Sequence, residues 1–302
     1  MQIIDGKKIR DEILAEVKNE VARLSFRPVF CDVLVGNDPG SVQYVQMKSR
    51  KAESVGIKFY NASFPNSITT EELVKEIEKI NKIPNMCGII VQLPLPESID
   101  KKKILDTINP ELDVDCLGAK RSSEFYTGKT DFGFPTALAC ARLLDSVGVN
   151  LGNKDIVILG KGELVGRPVS ALLNFRGLSH TVIDSKSDNK EEIIKKADVI
   201  ISGMGNGKYI TGDMIKNGAI LIDAGTSESL ERSSTGEIGG SIVGDVDFDS
   251  VKDVAGFLSP VPGGVGPVTV AMLFNNVLNV AKLKKVGPSP SAQEPTFFKK
   301  II

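Results

Sequence analysis

Apolar positions along this chain follow two rhythms, and the rhythms alternate. Ile9, Ile13, Val17, Val21 and Leu24 return every three or four residues, which predicts a helix to about residue 24 with Asp5 as its cap. Residues 28–35 form a short apolar run, the pattern of a buried strand. After the turn Gly36-Asn37-Asp38-Pro39-Gly40, helical spacing resumes over 41–56. A strand at 57–64, a helix from Thr69 or Thr70 to about 80 with acids at its front, and a short apolar strand at 87–91 follow. Strands that alternate with helices predict βαβ units and a mostly parallel sheet. Pro94, Pro96 and Pro110 mark loops around a short helix near 101–108, and the polar stretch 113–130 reads as loop. A helix at 135–147 suits a connector between domains. A second alternating series then opens with a strand at 156–159 and a helix at 167–175. It continues through strands near 181–183, 199–201, 219–222, 242–243 and 254–257, and an apolar helix at 268–283 closes it. The pattern defines an α/β fold class with two domains. Residues 284–302 are rich in Pro and Ser and read as a mobile tail.

One residue breaks the pattern of the 41–56 helix. Val45, Ala52 and Val55, flanked by Val42, make its apolar stripe. Lys48 lies three residues after Val45 and four before Ala52, so it falls on that stripe, one turn from Tyr44. Arg50, Lys51 and Glu53 can point outward. A lysine on an apolar face can snorkel, covering core with its stem. Alternatively it is an amine in a partly dry cleft, where burial disfavours the charged form and makes the group useful as an acid or base. The stretch alone leaves both open.

Composition narrows the function classes. The 302 residues suggest two domains, and a net charge of −1 gives no basic field for nucleic acid. Cys31, Cys87, Cys116 and Cys140 form no CxxC pair, so neither a metal site nor a redox motif is expected. The N-terminus lacks a signal-peptide pattern, and no apolar run approaches the ~20 residues of a membrane helix. A cytoplasmic enzyme without membrane contact is expected.

Five stretches carry candidate chemistry. Gly160-Lys161-Gly162-Glu163-Leu164-Val165-Gly166 follows a strand and opens a helix, where glycines let a pyrophosphate approach free N–H groups. A tight turn without ligand has the same appearance. Asp184 ends the next strand, where an acid holds the ribose of NAD, yet Lys161, Ser185, Lys186 and Ser187 suit the extra phosphate of NADP. Gln92-Leu93-Pro94-Leu95-Pro96 stands at the carboxyl end of a strand, where ligand sites open in parallel sheets. Asp113-Val114-Asp115 follows a Pro loop. Pro260-Val261-Pro262-Gly263-Gly264-Val265-Gly266-Pro267 is stiff in places and bare of side chains in others, so a ligand can lie against its backbone. The only histidine, His180, opens a strand without a partner in sequence and reads as structural.

Together these stretches resemble the bifunctional methylenetetrahydrofolate dehydrogenase/methenyltetrahydrofolate cyclohydrolase family. The likeness rests on Tyr44-Val45-Gln46-Met47-Lys48, Gly88 to Pro96, Asp113-Val114-Asp115, Val243-Gly244-Asp245-Val246 and Pro260 to Pro267 with Thr269, and it reaches about Lys284. It implies an N-terminal α/β folate-side domain (1–138 plus 268–284), a Rossmann-like dinucleotide-binding domain with a mostly parallel sheet (139–267), a tail (285–302) and a folate cleft between the domains. It implies Lys48 as the central catalytic group, Tyr44 stacking on folate, Gln92 tuning the lysine and Asp115 at the pterin end. Leu93, Pro94, Pro262, Gly263, Gly264 and Gly266 complete the implied substrate set. Gly160, Lys161, Gly162, Gly166, Asp184, Ser185, Ser187, Gly203, Gly225 and Thr226 make the implied cofactor set. The activity implied is oxidation of 5,10-methylenetetrahydrofolate with NADP, then hydrolysis to 10-formyltetrahydrofolate, by a homodimer. The alternative is an NAD-preferring dehydrogenase with weak or no cyclohydrolase activity. The chain departs from the family at Lys161-Gly162 (usually Arg-Ser), Ser185-Lys186-Ser187 (usually Cys-His-Ser), Phe134 to Ala137 (usually Pro-Cys-Thr-Pro) and Cys116-Leu117 (where Gly usually follows the second acid). The first two departures bear on NADP against NAD, and the others on packing.

Overall fold

A computed structural model describes residues 1–232 and 238–286. They divide into two compact units, one of Met1–Arg10 with Thr136–Thr269, the other of Asp11–Pro135 with the chain from Val270 onward. The chain passes from one unit to the other inside three helices, α1 (Gly6–Val21), α6 (Pro135–Ser146) and α10 (Val265–Val286).

The second of these units is built on three parallel strands, β2 (Val29–Val35), β3 (Lys58–Phe64) and β4 (Met86–Val91), with β2 in the middle. Every residue of β2 and of β4 is buried, as expected of strands covered on both faces. The crossovers are α2 (Pro39–Ser54) and α3 (Thr70–Ile80), and α4 (Lys101–Thr107) and α5 (Ala119–Tyr126) follow β4. Thr69 starts α3 with a capping box, its hydroxyl accepting from Glu72 N while the Glu72 carboxylate accepts from Thr69 N. Phe274 of α10 meets Phe30 of β2 edge-on, with ring centroids 5.5 Å apart. Asn276, fully buried on the same helix, donates from Nδ2 to Val114 O and Gly133 O, both at 2.9 Å. That pair of bonds fixes the loop carrying Asp113 and Asp115.

The other unit is a six-stranded parallel sheet in the order β1 (Gln2–Ile3), β11 (Phe257–Ser259), β8 (Ile220–Asp223), β7 (Val199–Ser202), β5 (Ile156–Leu159), β6 (His180–Ile183). The helices α7 (Gly166–Phe175) and α8 (Lys190–Lys196) connect β5 to β6 and β6 to β7. The chain thus leaves β5 toward one side and returns on the other, which makes the gap between β5 and β7 a topological switch point. Val157, Leu159, Ile200 and Leu221 of the sheet share a core with Ile194 of α8 and with Val251 of the short α9 (Phe248–Val251). Among the described residues no helix is long and apolar enough to cross a membrane.

Four expectations change. The first ten residues, grouped by sequence with the folate side, add β1 to the edge of the dinucleotide-side sheet, where Gln2 and Ile3 pair with Phe257 and Leu258. Within 113–130, expected as loop, lies α5. Its inward anchors are Arg121 and Phe125, so only one of the two is apolar. Arg121 replaces an apolar anchor by donating to Pro110 O at 2.8 Å and stacking 4.4 Å from the Phe132 ring centroid. The strand expected at 242–243 belongs to an antiparallel hairpin of β9 (Ser227–Arg232) and β10 (Ile238–Val243), outside the parallel sheet. The last helix starts at Val265, so Gly266 and Pro267 form its first turn, where proline costs no hydrogen bond. The expected tail lies outside the described residues apart from the end of α10.

Replacing Asn276 with Ala strands two buried carbonyls. It is expected to lower stability by about 2–4 kcal/mol. Urea unfolding followed by circular dichroism reads this as a lower midpoint at unchanged slope.

Candidate active site

Local sequence places Lys48. Asp38 accepts from Ser41 N at 2.8 Å and starts α2, with Pro39 in the first turn. Val45, Lys48 and Ala52 then form the buried face. Lys48 is 2 % exposed. Its Nζ donates to Gln92 Oε1 at 2.8 Å and lies 2.5 Å from Asp32 Oδ2. The Tyr44 ring centroid is 4.9 Å away. Taking an ammonium from water costs several kcal/mol unless opposite charge and acceptors replace the lost solvent. Here a carboxylate, an amide oxygen and a ring face do so.

Gln92 is held from both ends. Its backbone N donates to Val33 O at 2.8 Å, just past the end of β4, and its Nε2 donates to Leu93 O at 3.0 Å. The amide oxygen is thereby turned to the amine. The Leu93–Pro94 peptide is cis.

Asp32 occupies the centre of β2 and is fully buried. Oδ1 has no hydrogen-bond partner, and Oδ2 meets Lys48 as an ion pair outside hydrogen-bond alignment. Burial pushes its carboxyl up, and the charge of Lys48 pulls it back. Sequence reasoning missed this residue. Its signal was present, a charged side chain in an otherwise apolar strand.

Two more acids stand in the loop after α4. Asp113 is buried and structural, with Oδ2 accepting from Gly118 N at 2.8 Å and Oδ1 from Asp115 N at 3.2 Å. Burial pushes it up to about 6, against the pull of those N–H groups and Arg121. Asp115 is half-buried and pushed up to about 7, first by burial, then by Asp113 and Asp32, with Lys48 opposing. Tyr44 is 39 % exposed overall, and its hydroxyl end is the buried part. Burial there, then the charges of Asp115 and Asp32, raise the phenol to about 12. Tyr44, Lys48, Gln92 and Asp115 are thus one cluster, with Asp32 beneath it.

In the other unit, the carboxyl ends of β5, β6 and β7 surround a cavity of about 490 Å³. Gly160, Lys161, Gly162, Asp184, Ser185 and Gly203 line it, as do Lys190, Met204, Asn206 and Tyr209, which sequence reasoning did not single out. The volume falls in the range of ligand pockets. Gly160 has φ of +101°, and a side chain there would come within 2.8 Å of Gly203 O. A Cβ at Gly166 would stand 1.9 Å from Gly160 O, so β5 and α7 can meet this closely only through glycine. Gly162 faces open space, and α7 has no side-chain cap at Val165. These features fit a bound dinucleotide. Asp245 shapes the opposite rim, accepting from Met204 N at 2.8 Å and Asn206 N at 2.7 Å.

Asp184 and Lys161, which pull in opposite directions as cofactor signals, form an ion pair of 3.0 Å. Asp184 Oδ1 also accepts from Lys186 N and from the Ser187 hydroxyl. Lys161, then the Lys186 N–H, hold the Asp184 carboxyl below its ordinary value. Gly166, Ser187, Gly225 and Thr226 stand outside the cavity lining. Gly225 N donates to Asp223 Oδ1 at 2.9 Å, and Thr226 is exposed. Pro262, Gly263, Gly264 and Gly266 lie in this same unit, where Val261–Pro262 is cis and Gly264 N donates to Pro260 O at 2.7 Å.

A parallel sheet with a glycine turn at its switch point, and a second α/β unit centred on a buried lysine, define the class of two-domain dinucleotide-binding enzymes. The chain belongs to the tetrahydrofolate dehydrogenase/cyclohydrolase family. The family's catalytic-domain model matches residues 4–115 and its NAD(P)-binding-domain model residues 135–285. The bifunctional protein FolD of Moorella thermoacetica is 40 % identical over 284 residues, 93 % of this chain and 99 % of that protein. Its counterpart in Rickettsia bellii is 41 % identical over 288 residues, 93 % of this chain and 98 % of that one. Among solved structures, the bifunctional enzyme FolD of Campylobacter jejuni is 34 % identical with a TM-score of 0.85, covering 93 % of this chain and 99 % of its own. The Trypanosoma brucei methylenetetrahydrofolate dehydrogenase-cyclohydrolase, complexed with NADP and inhibitor, is 35 % identical with a TM-score of 0.87, covering 93 % and 97 %.

The raised Asp115 carboxyl has a stability consequence. A carboxyl whose value is raised on folding contributes stability that is full below its ordinary value of 3.8 and is lost as pH rises through about 7. Asp115→Asn removes that loss. The melting temperature of the variant is expected to match the parent near pH 4 and to exceed it by about 2 °C or more at pH 8, as read by calorimetry.

Proposed function

We propose that this chain oxidises 5,10-methylenetetrahydrofolate to the 5,10-methenyl form with NADP and hydrolyses that product to 10-formyltetrahydrofolate. The observation that carries the reading is the buried Lys48 amine, held by Gln92 beside the Tyr44 ring, in a chain whose other unit carries the glycine-lined cavity. A bound NADP supplies the hydride acceptor. The Gly160–Gly166 turn would receive its pyrophosphate, with Lys161 and Ser185 near its 2′-phosphate. On the folate side, the face of Tyr44 offers a flat surface to a flat substrate. Asp115, which titrates near neutrality, can give or take a hydrogen bond at the pterin.

Hydrolysis places the proton demand on Lys48. Water adds to the methenyl carbon and loses both of its protons as the formyl C=O forms, the bond from that carbon to N5 breaks, and N5 takes one proton. The net yield is one proton to solvent. A general acid–base group of this kind contributes about 10²–10⁴-fold. The same reading has the protein act in the cytoplasm as a homodimer, as its family membership supports.

Lys48→Met is expected to slow hydrolysis of 5,10-methenyltetrahydrofolate by about 100-fold or more while leaving dinucleotide affinity unchanged. A stopped-flow trace at the parent rate would remove Lys48 from the chemistry. Steady-state turnover with NADP and NAD side by side tests the cofactor. Asp184→Ser releases Lys161 from its ion pair and is expected to raise kcat/KM for NADP relative to NAD by up to about fivefold, the return of a weak exposed pair's worth. An unchanged ratio would take Asp184 out of cofactor selection.

A further inference from the structure

We propose that Asp32 is a positioning residue for the hydrolytic step: its carboxylate charge holds the Lys48 amine as an ammonium, while Gln92 directs one of its three N–H bonds. The inference rests on the role given to Lys48 under the proposed function. Its basis is geometric. Asp32 Oδ2 lies 2.5 Å from Nζ, with both side chains out of solvent, and Gln92 Oε1 lies 2.8 Å from the same nitrogen. An ammonium carries three donors and no acceptor. Gln92 takes one of them, and Asp32 Oδ2 stands close to the nitrogen without an aligned bond, so the remaining donors are open to substrate.

Stability does not account for the pair. The six other residues of β2 are apolar, and a seventh would pack in the same place. A buried ion pair is on average no more stabilising than apolar side chains of equal volume, because desolvation consumes the Coulomb gain. Oδ1 adds to the cost, since it is buried with no hydrogen-bond partner. Net stability is therefore not what accounts for a carboxylate beside the amine that the reaction employs.

The proton balance is closed within this pair and the substrate. As the carbon–N5 bond breaks, the ammonium gives one of its free protons to N5. The neutral amine, left beside the Asp32 carboxylate, recovers a proton from the water that has added to the carbon. The second proton of that water leaves to solvent. Asp32 itself stays ionised throughout and touches no substrate atom.

The groups that face this pair are few. Tyr44 lies on the same helix as Lys48, and Cys31 adjoins Asp32 on β2, its thiol raised first by burial and then by the Asp32 charge. Gln92 stands at the end of β4, and Asp115, with Asp113 behind it, comes from the loop after α4. Asp115 titrates in the neutral range and feels both Lys48 and Asp32, so the neutral part of any profile carries its contribution. The alkaline limb lies beyond that contribution.

The test is the pH dependence of kcat for hydrolysis of 5,10-methenyltetrahydrofolate, on the full chain, in the parent, Asp32→Asn and Lys48→Met. Loss of the carboxylate charge is expected to move the alkaline limb of Asp32→Asn to lower pH by about 1–3 units. KM should stay within about threefold, and dinucleotide affinity should be unchanged as evidence of folding. An alkaline limb coincident with the parent's, in a folded Asp32→Asn, overturns the proposal. Parent-like hydrolysis by Lys48→Met overturns the proposed function instead, so the two failures are separable. Where Asp32→Asn does not fold, aspartate labelled with carbon-13 at Cγ supplies the test in Lys48→Met. Two carboxyl resonances, those of Asp32 and Asp115, are expected to take up protons at higher pH than in the parent. A response by one or none overturns the assignment.

Discussion

One ammonium group, buried and met by a carboxylate and an amide oxygen, organises the folate-side unit. Its position requires β2 and β4 to be neighbours, because Asp32 comes from the first and Gln92 from the end of the second. It requires α2 to start at Asp38, since a shift of one residue would turn Lys48 away from the sheet by about 100°. It also requires the amide of Gln92 to be oriented, which the Val33 and Leu93 carbonyls accomplish. The elements further out hold these in turn. Asn276 ties α10 to Val114, and Asp113 folds its own loop around Gly118, so that Asp115 arrives beside the amine.

The dinucleotide side is organised by a steric constraint and not by charge. Gly160, Gly166 and Gly203 let a strand, a helix and the next loop approach to distances that no side chain permits. Electrostatics enters at the rim, where Lys161 and Asp184 neutralise one another. Each is separately a cofactor signal. Paired, they present a lysine whose partner is exchangeable, since both are partly solvent-exposed and such pairs are worth little.

How much of this was legible in the sequence depended on whether apolar spacing carried the information. The strands and helices around Lys48 were legible, because β2, β4 and the stripe of α2 are buried and periodic. Lys48 was legible as an exception to that period. Asp32 was equally exceptional, but a strand buried on both faces has no alternation for a polar residue to break, so a rule based on period passes over it. Helix α5 was hidden because Arg121 does an apolar residue's work through hydrogen bonds and ring stacking. The hairpin of β9 and β10 was hidden because Ser227–Arg232 holds a single apolar residue, leaving pairing without pattern. The edge strand β1 is too short for any period, and only the parallel partner β11 reveals it.

In the proposed function the carbon oxidised by NADP is the carbon that is then hydrated. The direct measurement is to supply 5,10-methylenetetrahydrofolate labelled with carbon-13 at the methylene carbon, together with NADP and the full chain, and to follow the label by NMR. The account predicts reduced cofactor and a label that passes to the formyl carbon faster than the uncatalysed hydrolysis of the methenyl form. Reduced cofactor with the label accumulating at the methenyl carbon, and leaving it at the uncatalysed rate, would contradict it.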